Sequence, residues 1–398
     1  MKIREILLNP SRSLDYMERL VNNGSASGFS SIHTSSKETN PFHSEGFHVK
    51  VLTPNNQECI SSYGVLPDIC RAVDENDSIF FHPDWKITSD SEYGQVSDSY
   101  YVIPTSSVRT VRIKDSNYYL KLCYPGKLGR IERELKYSHL ISGIEITGYL
   151  DHLLQSGKAN KYFGFMPEIG GKLFNSKINL GYIVRKLNDI DAQGLLVPAF
   201  SLFSIDKNSV SDKPILSQIL ELKGNSIEYF LSQIAIPLID MFFDCAFYEG
   251  LIPEMHSQNI VYLFDNSFEL KKILLRDLES IDKDVTIRKH LRLSNFLSFP
   301  HKCIDDTNEY YLMRHSFMYD HKLCEYLLDP LVQLVSEKTM IDGATIKSSI
   351  QQYANKRLLE WKSPFFPEDG NWYKYPNIEI DRSTSKRPFI AIPNPNYR

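Results

Sequence analysis

The chain has 398 residues, 42% hydrophobic and 24% charged, with a net charge of −4. That length carries two or three domains and a sizeable core. The charge balance excludes the overall basic signature of a nucleic-acid binder and leaves any basic site local.

Cysteines at 59, 70, 123, 245, 303 and 324 form no CxxC pair, and the eleven histidines form no HExxH. This argues against a zinc cluster and for reduced thiols in a cytoplasmic protein. The glycines form neither a Walker loop nor GxGxxG, so the commonest phosphate cradles are missing. The start, MKIREILLNP, lacks the apolar core of a signal peptide. No run approaches the roughly 18 apolar residues of a spanning helix, so no membrane association is expected.

Taken in chain order, residues 22–45 are rich in Ser, Asn and Gly and read as a loop. From Ser99, SYYVIPT, SVRTVRI and YYLKLCY read as antiparallel strands, with KDSN at 114–117 as the turn between the last two. A helix is expected from about Gly129 to Gly143, and a second to Gln155. GYIVRKL (181–187) and LLVPAFSLF (195–203) read as further strands. Ile227, Phe230, Leu231, Ile234, Leu238, Met241, Phe242 and Cys245 share one helical face. Ser226 is its N-cap, Gly250 its end, and Pro237 should kink it. NIVYLF and ELKKILL form a hairpin around DNS, with Arg276 and Asp277 directly after it. Mostly helices follow residue 285, and 363–398 is expected to be irregular.

Two segments concentrate polar groups. In PEMHSQN (253–259), Glu254, His256, Gln258 and Asn259 stand between the buried helix and the hairpin, and the hairpin returns Asp277 toward them. The outline is that of a protein-kinase catalytic loop followed by a metal-binding acid, but there is no HRD and no DFG. A plain satisfied turn explains the segment about equally well. In PTSSVRTV (104–111), the hydroxyls of Ser106, Ser107 and Thr110 surround Arg109. Lys121 and Arg133 follow at twelve-residue steps. Arginine forks and a lysine point charge suit a triphosphate or a polyacid. An exposed polar strand is the bland alternative. FFHPDWK (80–86), with His82, reads as a strand end and turn, and HTSSK (33–37) is a weak signal alone.

In this order the segments resemble the siderophore synthetases that act independently of peptide synthetases, with aerobactin synthetase as the type. That family carries HPSxKSR, HPWQ, TxSxRT, a Lys and an Arg at twelve-residue steps, EAHxQN and RD. Here the counterparts are HTSSK, HPDWK, PTSSVRT, Lys121, Arg133, EMHSQN and Arg276-Asp277. The chain departs from the pattern in a shortened N-terminal region, in HTSSK and at Asp84-Trp85.

The resemblance implies an α+β fold with a hand-like thumb, fingers and palm, an antiparallel sheet and a kinase-like helical palm. The expected divisions are 1–78, 79–205 and 206–398. It implies ATP and Mg²⁺, with a carboxylic acid activated as an acyl-adenylate and condensed with an amine, hydroxylamine or alcohol. Arg109, Arg133, Lys121 and His256 would be catalytic. Ser107, Thr110, Gln258, Asn259 and His82 would bind the nucleotide, and Glu254 and Asp277 the metal. Partners would be small molecules and, at most, a second copy of the chain as a homodimer. A small-molecule kinase and a noncatalytic nucleotide- or carboxylate-binding member stay open as alternatives.

Overall fold

Short runs of β-branched and aromatic residues, punctuated by turn residues, build the first half of the chain as strands. The computed structural model describes residues 2–25, 35–70, 77–88, 91–128, 131–208, 213–298, 300–375 and 389–398. In chain order the strands are β1 (Phe47–Pro54), β2 (Ile60–Gly64), β3 (Ile79–Phe81), β4 (Gly94–Pro104), β5 (Thr110–Ile113), β6 (Tyr118–Leu122), β7 (Lys127–Leu128) and β8 (Ile131–Glu132). Then come β9 (Phe163–Phe165), β10 (Glu168–Asn175), β11 (Asn179–Lys186) and β12 (Leu195–Pro198). An eight-stranded antiparallel sheet has the order β2-β10-β11-β6-β5-β4-β1-β3. The expected β5–β6 hairpin turns at 114–117, where Asp115 adopts φ +57°.

Side chains alternate across a sheet, and this alternation sets up the site. Val111, Leu120, Tyr182 and Val184 enter a core with Val49, Val51 and Phe80. Thr110, Lys121 and Arg185 therefore occupy the other face. Thr110 lies opposite Lys121, and Arg185 lies opposite both Tyr119 and Glu168.

The second half adds β13 (Leu251–Ile252), β14 (Ile260–Phe264), β15 (Leu270–Leu275), β16 (Asp282–Asp284) and β17 (Cys303–Ile304). The hairpin β14–β15 sits in a four-stranded sheet of order β12-β14-β15-β9, with β9 parallel to β15. The principal helices are α1 (Ile3–Leu8), α2 (Pro10–Leu20), α3 (Tyr137–Gln155), α4 (Ala199–Phe203), α5 (Ile215–Leu222), α6 (Ile227–Glu249) and α7 (Val285–His290). A helical rod, α8, runs through Tyr311–Ser316, Phe317–Leu328 and Asp329–Thr339, and α9 is Gly343–Leu358.

Helix α6 follows the sequence closely. Ser226 accepts from the Tyr229 amide, and Gly250 ends the helix at φ +58°. The turn Leu231–Ala235, ahead of Pro237, widens to a π-helical register. By length and composition α6 could cross a membrane, contrary to the sequence expectation, but most of it is buried in the largest core cluster.

Other expectations change. Gly143 does not end a helix: α3 runs through it from Tyr137 to Gln155, and residues 131–132 are the strand β8. Gly143 is there for room, since a Cβ on it would stand 2.0 Å from Glu168 Oε2. Residues 199–203 are helical because the strand stops at Pro198. The tail holds a hairpin of β18 (Asn371–Lys374) and β19 (Ile390–Pro393). β1 and β2 share a sheet with β3–β6, so the division expected at 78/79 passes through that sheet. The fold is α+β with antiparallel sheets, as the resemblance implied.

Candidate active site

The turn from β4 to β5 is tight. Thr105 bonds the Thr110 carbonyl through its amide (3.2 Å) and its Oγ1 (2.7 Å). Ser107 Oγ accepts from the Thr110 amide at 3.1 Å. Val108 takes φ +64°, an uncommon state for a β-branched residue, with its side chain buried among Tyr124, Leu128 and Phe42. Such a conformation costs about 1–3 kcal/mol and is often found where a side chain must be aimed.

The residue so aimed is Arg109, whose Nη1 donates to the Arg133 carbonyl at 3.3 Å. Among the described residues, the Arg133 guanidinium makes no hydrogen bond or ion pair. Burial and then the Arg109 charge hold its pKa down to about 10, which leaves Arg133 charged at neutral pH. Two cations placed together in partly buried positions favour an anion between them.

Below them lies a buried ion network. Lys121, 1% exposed, donates from Nζ to Asp277 Oδ1 (3.0 Å) and Glu279 Oε1 (2.9 Å). Arg185 Nη2 bonds Glu168 Oε1 at 2.8 Å and also bonds Asp277. Burial opposes ionisation of Asp277. Lys121, Arg185 and Arg109 outweigh it, and the carboxyl sits well below the usual range. Glu168, Asp277 and Glu279 each offer an oxygen, all within 4.8 Å of one another. Oε2 of Glu168 and Oε2 of Glu279 are buried and take no hydrogen bond. Hard oxygen ligands with spare lone pairs are what Mg²⁺ takes.

The loop 253–259 is held by its own polar atoms. His256 Nδ1 accepts from the Gln258 amide at 3.2 Å, so its proton belongs on Nε2. Burial lowers its pKa to about 4, against the pull of Glu254, which makes it a neutral donor at pH 7. Asn259 Nδ2 donates to the Glu254 carbonyl at 3.0 Å, and Gln258 Nε2 reaches Ser106 Oγ at 3.5 Å. Glu18, from α2, binds Arg276 Nη1 (2.6 Å) together with the amide (3.2 Å) and hydroxyl (2.9 Å) of Ser106. It thereby ties the β4–β5 turn to the hairpin end. Glu254 pairs with Lys322 of α8 at 2.8 Å. Burial resists its ionisation, but Lys322 and His256 keep its carboxyl far below the usual range.

The two polar segments of the sequence thus come close enough to act on each other. Arg133 feels Arg109, Asp277, Glu279 and Glu254, and Asp277 feels Arg109 and acts on His256. Some expected residues stand apart. His82 is fully buried behind the Val108 turn, against Tyr124 and Phe47, and accepts from the Asp84 amide at 3.2 Å. It shapes the turn and presents no surface to a nucleotide. Ser107 spends its hydroxyl oxygen on that turn. The carboxylates gathered around Asp277 are Glu168 and Glu279, not Glu254. Of HTSSK, His33 and Thr34 lie outside the described residues, while Ser36 donates to Asp84 at 2.7 Å.

Glu168, Arg185, Glu279, Glu18 and Lys322 were not singled out from sequence. The signal available for Arg185 was a charge inside an apolar strand, YIVRK, and for Glu279 its place two residues after Asp277.

Residues 92–204 match the model of the IucA / IucC family. No curated protein sequence gives a match. Among solved structures, aerobactin synthetase IucA from a hypervirulent pathotype of Klebsiella pneumoniae is 12% identical with a TM-score of 0.70, over 99% of this chain and 80% of that one. Its ATP-bound form is 11% identical with a TM-score of 0.68, over 93% and 76%. The petrobactin biosynthesis protein AsbB from Bacillus anthracis strain Sterne is 16% identical with a TM-score of 0.64, over 88% and 68%. At these identities the structural likeness is one of fold. The chain thus resembles the IucA / IucC family over residues 92–204, and nearly its whole length follows the fold of these synthetases.

Proposed function

We propose that the chain is an ATP-dependent ligase of siderophore-synthetase type. It activates a carboxylic acid, citrate or a relative, and passes the acyl group to an amine, hydroxylamine or alcohol. A carboxylate oxygen attacks the α-phosphorus, the α–β phosphoanhydride breaks, and pyrophosphate leaves. The nucleophile then attacks the acyl carbon and AMP leaves with the electron pair of the C–O bond. In this reading the large sheet is the fingers and the helix-rich half is a kinase-like palm.

The observation that carries the reading is the adjoining pair Arg109 and Arg133 beside the Lys121–Asp277–Glu279 network. Negative charge grows on the phosphoryl oxygens at the transition state, and fixed cations in a partly dry cleft stabilise it there more than in the ground state. Thr110, on the cleft face of β5, and the Nε2–H of His256 add neutral donors. Gln258 and Asn259 position the loop, and their remaining polar atoms orient phosphate or ribose oxygens.

Mg²⁺ fits the cluster of Asp277, Glu279 and Glu168, because two of their buried oxygens lack hydrogen bonds. Glu254 would join them by leaving Lys322. The ion would supply charge neutralisation of the triphosphate. The ATP-bound form of IucA supports nucleotide use by this fold.

The nucleotide product tests the proposal. AMP and pyrophosphate formed in step with acid and nucleophile support it. ADP would turn the reading to a small-molecule kinase, and nucleotide binding without turnover to a noncatalytic member. The loop 253–259 contains no Asp to serve as a kinase base, which weighs against the first of these.

A further inference from the structure

Helix α2 lies outside every motif that pointed to the site, yet one of its side chains joins the two segments that build it. Asn9 caps the helix by accepting from the Arg12 amide at 3.3 Å, and Pro10 sets its first turn. Leu14 shares a core cluster with Tyr119 of the eight-stranded sheet and with Val261 and Leu274 of the four-stranded one. Met17 and Val21 enter the largest cluster. The helix thus packs toward both sheets. Glu18, one turn after Leu14, is buried at their junction with 3% exposure.

The Glu18 carboxylate is divided between the two segments. Its Oε2 accepts from the amide and the hydroxyl of Ser106, and its Oε1 accepts from Arg276 Nη1. Ser106 belongs to the turn that aims Arg109. Arg276 holds the loop 253–259: its Nε donates to the Gln258 carbonyl at 2.5 Å, and its amide donates to the Asn259 carbonyl at 3.0 Å. Gln258 Nε2 closes the ring at Ser106 Oγ, 3.5 Å away. A carboxylate suits this place, because one oxygen accepts twice from the turn while the other meets a guanidinium.

We infer that Glu18 is a positioning residue for the reaction, fixing the turn that carries Arg109 relative to the loop that carries His256. The inference rests on the ligase reading and adds to it a residue from the N-terminal helices. Donors that act together on one transition state must be in place together, and a misplacement of about 1 Å costs up to about a hundredfold in rate. ATP binding is spread over more contacts than the reacting phosphorus offers, so the loss belongs in kcat and not in ATP affinity. Asp15 supplies the contrast: it stands on the same helix, and its ion pair is with Arg112, at 2.9 Å.

The test measures kcat for nucleotide turnover, as AMP or ADP, and the Kd for ATP, in the full chain well below the melting temperature of each variant. Glu18→Gln keeps the length and an acceptor but gives up the charge that meets Arg276. Glu18→Asp keeps the charge but is one methylene too short to span both partners. Both should lower kcat about ten- to a hundredfold while the Kd for ATP stays within about twofold. Asp15→Asn should lower the melting temperature and leave kcat within about twofold. Because Glu18 and Ser106 act through one link, Glu18→Gln combined with Ser106→Ala should fall no further than Glu18→Gln alone. Should Glu18→Gln fail to fold, Ser106→Ala, which leaves the Glu18–Arg276 pair in place, carries the test: its kcat should fall at unchanged ATP affinity. A lowered melting temperature with unchanged kcat in the Glu18 variants would make Glu18 a brace of the fold only and overturn the inference. Losses that multiply in the double variant would also overturn it. ADP from the wild type would sink the ligase reading and leave the Glu18 test intact, whereas a wild type without ATP turnover would overturn both.

Discussion

Lys121 and Arg185 are charges that the interior accepts only because Asp277, Glu279 and Glu168 answer them. Asp277 therefore has a structural role beside the chemical one proposed for it. Asp277→Asn should lower turnover roughly a hundredfold, the scale of a lost preorganised charge, with part recovered by added Mg²⁺. It should also destabilise the fold by about 1.5–3 kcal/mol, because Lys121 and Arg185 each lose one of their two anions. A variant with an unchanged melting temperature would show that Lys121 and Arg185 find other partners. Because the folded-state carboxyl of Asp277 is depressed, its contribution is full above the ordinary carboxylate range and is lost as pH falls below it.

His82 gives a pH dependence of different origin. Burial lowers its pKa from 6.5 to about 4, against the attraction of Asp84. Between those values the unfolded chain takes up a proton that the folded chain refuses. Stability is therefore full above pH 6.5 and falls toward pH 4, by about 3 kcal/mol for this one group. His82→Asn keeps an acceptor for the Asp84 amide and cannot titrate, so melting temperature against pH should be shallower between pH 6.5 and 4.5. An unchanged slope would assign the acid sensitivity to other groups.

At the level of elements, α3 presses directly on the site through Gly143. Alanine is the better helix former by about 1 kcal/mol, so Gly143→Ala on an open helix face would stabilise. Here the new methyl meets Glu168 Oε2, on a fully buried side chain that holds Arg185. Net destabilisation in urea unfolding, together with lost activity, is the expected result, and a gain in stability would show that Glu168 moves freely. At the far end of α6, Gly250→Ala should cost about 1 kcal/mol or more, since φ is +58° and Arg288 Cγ would lie 2.5 Å from the new atom.

Elements with strong local signals were legible in the sequence. Ser226 and Gly250 bounded α6, KDSN turned β5 into β6, and Asp277 followed its hairpin. The helix break at Gly143 was misread because a glycine needed for close approach to Glu168 looks, in one dimension, like a helix stop. Glu168, Arg185 and Glu18 escaped notice because their meaning lies in register and tertiary contact. Arg185 reaches Asp277 only because β11 pairs with β6 in the register that puts both on the cleft face.

For the molecule as a whole, the cleft lies where the eight-stranded sheet meets the helix-rich half, with the ion network and Glu18 as its rivets. Binding there should stabilise both halves together. ATP at a hundred times its Kd should add about 2.7 kcal/mol to stability, read as a single shifted transition in calorimetry. The central claim is adenylation at this junction. Its most direct measurement is exchange of labelled pyrophosphate into ATP, with and without citrate, in the wild type and in Arg109→Ala and Arg133→Ala. The account predicts exchange that requires the acid and falls roughly a hundredfold or more in each variant while ATP still binds. Acid-independent exchange, or near wild-type exchange in both arginine variants, would contradict it.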